Sequence, residues 1–376
     1  MKYLKLGNTG PAIPAIGQGT MGIGGYLTRD AGRDEAQINA LRLGIELGMT
    51  FIDTAETYGE GHSEELVAEA ICEARDRVFI ASKFSPEHNA YDAVLRAAEG
   101  SLRRLRTDYI DLYQLHWTNP VTPLADTIRA LERLVKDGKI RFAGVSNLAL
   151  RELKEAQLAV PSCPIAALQV EYNLFDRTIE NSILPYCQTQ DITVIAYSPL
   201  DQGKIASGSE KIRLLRRIAE KHRKTVSQVA LNWLVSHQGV MAIPKATSPE
   251  HIRQNAEAAE FTLTANEMAM INEAFAPEFI CVPTDRVCVI SGGQGNRKVY
   301  RTLAEALENR LGFAPSPADL ARDILEGDAL KPVRVKKSDD KTGQYDYDLV
   351  EGRIRYWAWV IAHEGKEPIP VLIRED

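Results

Sequence analysis

Four side chains in the first third of the chain carry the groups that proton donation to an oxygen requires. Asp53 closes the run Thr50-Phe51-Ile52-Asp53, Lys83 closes Phe79-Ile80-Ala81-Ser82-Lys83, and His116 closes Leu112-Tyr113-Gln114-Leu115-His116. Tyr58 stands five residues beyond Asp53. An ammonium beside a phenol favours the phenolate and is expected to bring the phenol down from about 10 toward the working range, while a carboxylate keeps the ammonium charged and in place. Singly, each residue has an ordinary structural role: Asp53 as a helix cap, Lys83 as a solvated strand end, His116 as a satisfied structural imidazole. They become a catalytic set only if one fold gathers the ends of their runs.

The order of elements predicts such a fold. Eight short apolar, β-branched runs cover residues 16–19, 50–53, 78–83, 109–116, 140–146, 167–170, 192–197 and 240–244. Between them lie longer segments with apolar residues recurring at three and four, including 34–47, 63–75, 91–105 and 124–136, the mark of one buried helix face. Strand then helix, eight times in succession, predicts a (β/α)8 TIM barrel, in which the C-terminal strand ends converge on one mouth. The rival layout is a doubly wound sheet, which opens with a Gly-rich turn leading directly into a helix. Gly17-Gln18-Gly19-Thr20-Met21-Gly22 is followed by no helix start, so the barrel is preferred.

The chain has 376 residues, 44% hydrophobic and 26% charged, with a net charge of -6. That is more than one average domain needs. A last helical pattern at 265–275 is followed by Pro277, and the character changes there. Residues 1–277 are therefore assigned to the barrel and 278–376 to a small α+β domain. The latter is read as a turn cluster at Ser291–Asn296, helical patterns at 302–311, 317–326 and 353–362, and strands at 333–336, 347–350 and 369–373, with residues 336–343 as a solvated hairpin loop. Neither part has a basic excess, which argues against a nucleic-acid partner. No apolar run approaches the roughly 18 residues of a membrane helix, and no signal-length stretch opens the chain. Cys72, Cys163, Cys187, Cys281 and Cys288 are odd in number and lack metal or disulfide spacing. A cytoplasmic protein without a metal is the expectation.

Several motifs resemble the aldo-keto reductase family: Gly19-Thr20-Met21-Gly22, Phe51 to Gly59 (FIDTAETYG), Ala81-Ser82-Lys83, Asp111 to His116 (DLYQLH), Gly144 to Asn147 (GVSN), Gln169 to Asn173 (QVEYN) and Ala196 to Leu200 (AYSPL). The resemblance runs in order over residues 1 to about 276. It implies reduction of aldehydes or ketones to alcohols, or the reverse, with Asp53, Tyr58, Lys83 and His116 as the family tetrad and Tyr58 as proton donor. The implied cofactor is a nicotinamide dinucleotide held without a Rossmann fold, flanked by Gly19, Thr20, Met21 and Asp53. Ser146, Asn147 and Gln169 would meet its carboxamide and Tyr197 its ring, with Ser198 and Leu200 near the pyrophosphate.

Lys245, Thr247, His251, Gln254 and Asn255 match the adenosine-phosphate clamp. His251 stands where many relatives have arginine, and Ala246 where many have serine. NADPH is favoured through Lys245, with NADH use left open. Tyr26, Leu27 and Trp117 are expected to line a pocket for an apolar or aromatic carbonyl compound, Trp117 also being readable as a plain rim residue. Trp233 is read as outer-ring core.

The tail is foreign to that family. Asp348 to Trp359, preceded by Leu330 to Val335, resembles the ParB/sulfiredoxin-like domain, where a Gly-x-x-Arg element grips a nucleotide phosphate; Gly352 and Arg355 fit it. A structural or homo-oligomer-forming role is the alternative, since Trp357 and Trp359 alternate around their helix and one of them could face a partner. Two further functional readings stay open beside the reductase. One is a slow nicotinamide-binding redox sensor, similar to the potassium-channel β subunits of the same family, with the tail as output. The other, a nucleotide-handling or DNA-partitioning protein, is disfavoured by the even charge.

Overall fold

A computed structural model describes residues 1–119, 121–206, 210–276, 279–289, 299–313, 315–328 and 330–373. The Ser291–Asn296 turn cluster and the boundary at 277/278 lie outside the described residues. The backbone divides into two compact units: Met1–Leu148, Glu152–Arg177 and Leu184–Ala276 form the first, and Ala149–Arg151, Thr178–Ile183 and Pro277–Asp376 the second.

The first unit opens with an antiparallel hairpin, Tyr3–Lys5 against Ala12–Pro14, that periodicity had not indicated. Eight parallel strands follow: β1 (Gln18–Gly19), β2 (Phe51–Asp53), β3 (Phe79–Phe84), β4 (Ile110–Leu115), β5 (Ile140–Ser146), β6 (Ile165–Glu171), β7 (Thr193–Tyr197) and β8 (Val240–Ala242). Each pairs with its neighbour in sequence. The sheet closes where Ile16 bridges Ala242, with the Gly17 amide donating to the Ala242 carbonyl at 2.8 Å and the Ala242 amide to that of Ala15 at 2.9 Å. The result is a (β/α)8 barrel. Every residue of β3 and β4 is buried, as strands lying between a filled interior and a ring of helices must be.

Helices α1 (Asp34–Glu46), α2 (His62–Ile71), α3 (Tyr91–Leu105), α4 (Leu124–Lys136), α5 (Leu150–Ala159), α6 (Ile183–Thr189), α7 (Glu210–His222), α8 (Val226–Val235), α9 (Pro249–Glu257) and α10 (Ala265–Ala274) complete the order. In α4 the buried residues Leu124, Thr127, Ile128, Leu131 and Leu134 trace the three-four stripe that predicted it. α2 stops at Ile71, short of the expected Arg75, which opens a separate 3-10 turn, Arg75–Arg77; its guanidinium donates to the carbonyls of Val78 (2.9 Å) and Tyr109 (2.8 Å) and to Asp111 (3.0 Å). Trp233 is fully buried and donates to Asn272 Oδ1 at 2.8 Å, so it is core. Phe51, Phe79, Leu112, Ile195 and Met241 pack with Leu6 and Ile13 of the hairpin. That plug fills the end where the strands begin and leaves the opposite end for chemistry.

The second unit contains a five-stranded mixed sheet of β9 (Ile280–Val282), β10 (Val287–Cys288), β11 (Val333–Lys337), β12 (Tyr347–Glu351) and β13 (Ile369–Ile373), in the order β9-β13-β11-β12-β10. Helices α11 (Leu303–Leu307), α12 (Pro317–Leu325) and α13 (Arg353–Ala362) accompany it. Antiparallel pairing of β11 with β12 makes residues 338–346 a hairpin loop, displaced from the expected 336–343 because Lys336 and Lys337 pair with Asp348 and Tyr347. β9 and β10 were not foreseen, being too short to show a period. Val333, Val335, Leu349, Ile369, Tyr300 and Trp357 form the core, with Trp359 packed against it. The indole of Trp357 donates to the Tyr300 carbonyl and that of Trp359 to the Glu367 carbonyl, each at 3.1 Å. Trp357 is thus core of its own unit, while Trp359 packs against that core and stays partly exposed.

Candidate active site

The barrel brings Asp53, Tyr58, Lys83 and His116 to one end. Parallel registers set Asp53 beside Ala81 and Lys83 beside Gln114. Lys83 is fully buried and Asp53 nearly so. The ammonium donates to Asp53 Oδ1 at 2.6 Å, to the Thr54 carbonyl at 2.9 Å and to the Tyr58 phenol oxygen at 3.2 Å. Three ammonium hydrogens thus meet three acceptors. Because the phenol oxygen accepts, its own O–H is left to donate outward.

The electrostatics differ from expectation at Tyr58. Burial holds its phenol above the ordinary value; Lys83 opposes this, but the Asp53 charge works with burial. Lys83 was expected to win, and it does not, because burial of the phenol outweighs the pull of the ammonium and the Asp53 charge adds to burial. At neutral pH Tyr58 therefore keeps its proton. Burial alone would pull Lys83 down, yet Asp53 and Tyr58 together hold it above the usual amine range. His116 meets Tyr58 edge-on with ring centroids 6.0 Å apart. Burial, and then the Lys83 charge, lower it to about 3, so the imidazole is neutral at pH 7.

Gln114 escaped the sequence reading. Fully buried, it donates from Nε2 to Asp53 Oδ2 at 3.4 Å, where Gln169 Nε2 also donates at 2.7 Å. The signal was its place two residues before His116, which puts both on one face of β4. Thr54 was likewise missed, its contribution being a backbone carbonyl.

Ser146, Asn147, Gln169 and Tyr197 lie on the ends of three neighbouring strands and are linked. The Ser146 hydroxyl donates to the Gln169 carbonyl at 2.9 Å. The Asn147 amide donates to Ser146 Oγ (2.9 Å) and the His116 carbonyl (3.2 Å), and the Tyr197 hydroxyl donates to Asn147 Oδ1 (3.0 Å). Two side-chain amides and a hydroxyl beside a half-buried aromatic ring form a donor and acceptor set that fits a nicotinamide and its carboxamide.

Gly19 and Thr20 lie buried at the closure of the barrel, the Thr20 amide donating to the Asp53 carbonyl at 3.0 Å, while Met21 is exposed. Ser198 adopts a left-handed φ of 47°, and its carbonyl accepts from Asn173 at 3.1 Å; Leu200 is half-buried beside it. Lys245 and Thr247 are exposed on the segment leading to α9, where Ser248 caps the helix by accepting from the His251 amide at 3.3 Å. His251 is exposed, Gln254 donates to Glu250 at 3.1 Å, and Asn255 is buried. A helix N-terminus with a nearby lysine suits a phosphate.

Tyr26, Leu27 and Trp117 are largely exposed on loops beyond the strand ends, and the Trp117 carbonyl is held by Asn89 Nδ2 at 3.0 Å. In the second unit Gly352 precedes α13 with a φ of 94°, and a Cβ there would meet the Arg355 guanidinium at 3.0 Å. That guanidinium donates to the Lys331 and Pro332 carbonyls, both at 2.9 Å. Among the described residues, no group of three or more His, Cys, Asp or Glu side chains could hold a metal ion.

Residues 15–276 match the model of the aldo/keto reductase family. The methylglyoxal reductase YeaE of Escherichia coli (strain K12) is 44% identical over 265 residues, covering 70% of this chain and 92% of that protein. A glyoxal reductase of Bacillus subtilis (strain 168) is 39% identical, covering 62% of this chain and 81% of its own length. Among solved structures, an aldo/keto reductase from Klebsiella pneumoniae in complex with NADP and acetate is 41% identical with a TM-score of 0.67, covering 74% of this chain and 97% of that one. The thermostable aldo-keto reductase Tm1743 is 45% identical with a TM-score of 0.70, covering 73% and 100%.

Proposed function

Because this chain belongs to the aldo/keto reductase family, we propose that its substrates are small 2-oxoaldehydes of the glyoxal and methylglyoxal class and that Tyr58 protonates them. The protein is an NADP-dependent oxidoreductase that reduces aldehydes or ketones to alcohols, with NADPH as cofactor. NADPH, when bound, supplies the hydride. Ser146, Asn147, Gln169 and Tyr197 would hold its nicotinamide, Gly19, Thr20 and Met21 would flank it, and Ser198 and Leu200 would border its pyrophosphate. Lys245, Thr247, His251, Gln254 and Asn255 would take the adenosine phosphate end.

One observation carries the assignment of the acid: the Lys83 ammonium donates to the Tyr58 oxygen, so the phenol hydrogen is directed away from Lys83. A substrate oxygen at the mouth receives that proton as its carbon is reduced, and Lys83, held by Asp53, stabilises the phenolate left behind. Neutral His116 donates from its ring to orient the same oxygen. The substrate class is supported by the two reductases of such compounds among the relatives. Steady-state assays with methylglyoxal, glyoxal and simple monocarbonyl aldehydes test it: higher kcat/KM for the 2-oxoaldehydes is expected, and a preference for the simple aldehydes would refute it. No specific observation favours the slow redox sensor.

For residues 278–376 our reading is a small α+β domain of ParB/sulfiredoxin-like type, supported by the strand–glycine–helix turn of β12, Gly352 and α13. With Arg355 engaged on backbone carbonyls, phosphate binding there needs that side chain to turn. Thermal shift with CTP and ATP beside NADPH and NADH tests both parts of the chain, since only bound ligand raises Tm. We also read the protein as cytoplasmic, on an odd number of scattered cysteines without disulfide spacing; among the described residues no helix is long and apolar enough to cross a membrane.

A further inference from the structure

The loop between β1 and α1, residues 20–33, carries Tyr26 and Leu27, which are 65% and 83% exposed. Ile23 anchors the start of the loop in the core, but Tyr26 and Leu27 gain little from burial, so the stretch that carries them leans on polar ties. Two of those ties run to α2. His62, the first residue of α2, is 3% exposed, and both its ring nitrogens face carboxylates. Nδ1 lies 2.9 Å from Glu65 Oε2, and Nε2 lies 3.0 and 2.9 Å from the two oxygens of Asp34, the first residue of α1. Glu65 Oε2 also accepts from Arg29 Nη2 at 2.9 Å. Carboxylates only accept hydrogen bonds, so the full set is made when both ring nitrogens carry hydrogen. Arg29, Glu65, His62 and Asp34 form a continuous polar chain that fastens the loop at its middle and at its exit.

The fastened loop is also in contact with the segment carrying Tyr58. The Gly59 amide donates to the Tyr26 carbonyl at 2.8 Å. Gly59 has a φ of 55°, and a Cβ on it would come within 2.2 Å of the Gly24 carbonyl oxygen, so only glycine allows this approach. The place of Tyr26 relative to Tyr58 is thus set at short range on one side and by the polar chain on the other.

We propose that His62 is a positioning residue for substrate selection: through Asp34, Glu65 and Arg29 it clasps the loop so that Tyr26 and Leu27 shape the mouth in front of Tyr58, setting which carbonyl side chains fit. This rests on the reading of Tyr26 and Leu27 as pocket residues. No group of the clasp touches the tetrad, so its loss should act on the binding of larger substrates and spare the chemistry.

The test compares His62→Gln with the parent protein on methylglyoxal and on phenylglyoxal, a bulkier aromatic member of the same class. The KM for phenylglyoxal is expected to rise about fivefold or more, while the KM for methylglyoxal, kcat for both and the Kd for NADPH stay within about twofold. Asp34→Asn, at the partly exposed end of the clasp, carries the same test should His62→Gln fail to fold. Equal losses on both substrates together with lower kcat would mean a merely structural role and overturn the proposal. Tyr26→Ala and Leu27→Ala separate the remaining outcomes. If they shift the phenylglyoxal KM and the clasp variants do not, the clasp is wrong; if they also leave it unchanged, the pocket reading fails and the proposal falls with it.

Discussion

The Lys83 ammonium donates to the Tyr58 phenol oxygen across 3.2 Å while lying 2.6 Å from the Asp53 carboxylate. Burial of the phenol outweighs the pull of the Lys83 ammonium, and the Asp53 charge adds to burial, so Tyr58 rests in its protonated form, the form that its proposed role as proton donor needs.

Tyr58→Phe removes the transferable proton and keeps the ring. Positioned proton transfer contributes about 10²- to 10⁴-fold, so kcat should fall by that order while NADPH affinity, followed by fluorescence titration, stays unchanged. Reduction of methylglyoxal at the parent rate would show that another group delivers the proton.

Asp53 and Lys83 are buried together, so removing either one strands the other. Lys83→Met should cost on the order of 3 to 5 kcal/mol in urea unfolding. The double variant Asp53→Asn, Lys83→Met should be the more stable of the two, because it leaves no uncompensated carboxylate. Equal midpoints for single and double variants would mean that Gln114 and Gln169 suffice for Asp53.

His116 makes a pH prediction. Its folded value is about 3, against about 6.5 for a free imidazole. Between these values the unfolded chain binds a proton that the folded chain refuses, so this contribution to stability is complete above about 6.5 and is lost as pH falls toward 3. Tm measured from about pH 7 to pH 4.5 should therefore fall further in the parent protein than in His116→Asn, which has no such group; parallel curves would contradict the assignment.

If the proposed adenosine-phosphate site is right, cofactor choice turns on Lys245, exposed before α9, and on His251, exposed in its first turn. A charge-assisted contact contributes about 1.5 to 3 kcal/mol, at least a tenfold preference. Lys245→Ala should flatten the NADPH to NADH ratio of kcat/KM, and His251→Arg should widen it. If neither moves it, another side chain, Arg253 being nearest in sequence, reads the 2'-phosphate.

A chain ending at residue 276 retains all four tetrad residues and should fold, bind NADPH and reduce aldehydes. A folded fragment that binds NADPH but reduces nothing the full chain reduces would mean that the tail completes the active site. Light scattering on both chains reads any change of oligomeric state.

Local pattern was enough for the barrel. The limits of α3, α4 and α13 agree with their three-four spacing, and Asp53, Lys83 and His116 stand out because each is the polar residue that ends an apolar run. Periodicity and strand ends are properties of neighbours in sequence, and they are legible there. The hairpin strands, β9 and β10 are too short to show a period, and the Arg75 guanidinium finds Tyr109 and Asp111, 34 and 36 residues on, only in the folded chain. The protonation of Tyr58 belongs to the tertiary structure alone, since it is the balance of burial against two opposed charges at distances that no spacing encodes. The same holds for Gln114 on Asp53, 61 residues apart in sequence, and for His62 on Asp34, 28 apart. Hydrogen bonds between strands and between helices form only where the closed sheet has already set the separation of their backbones.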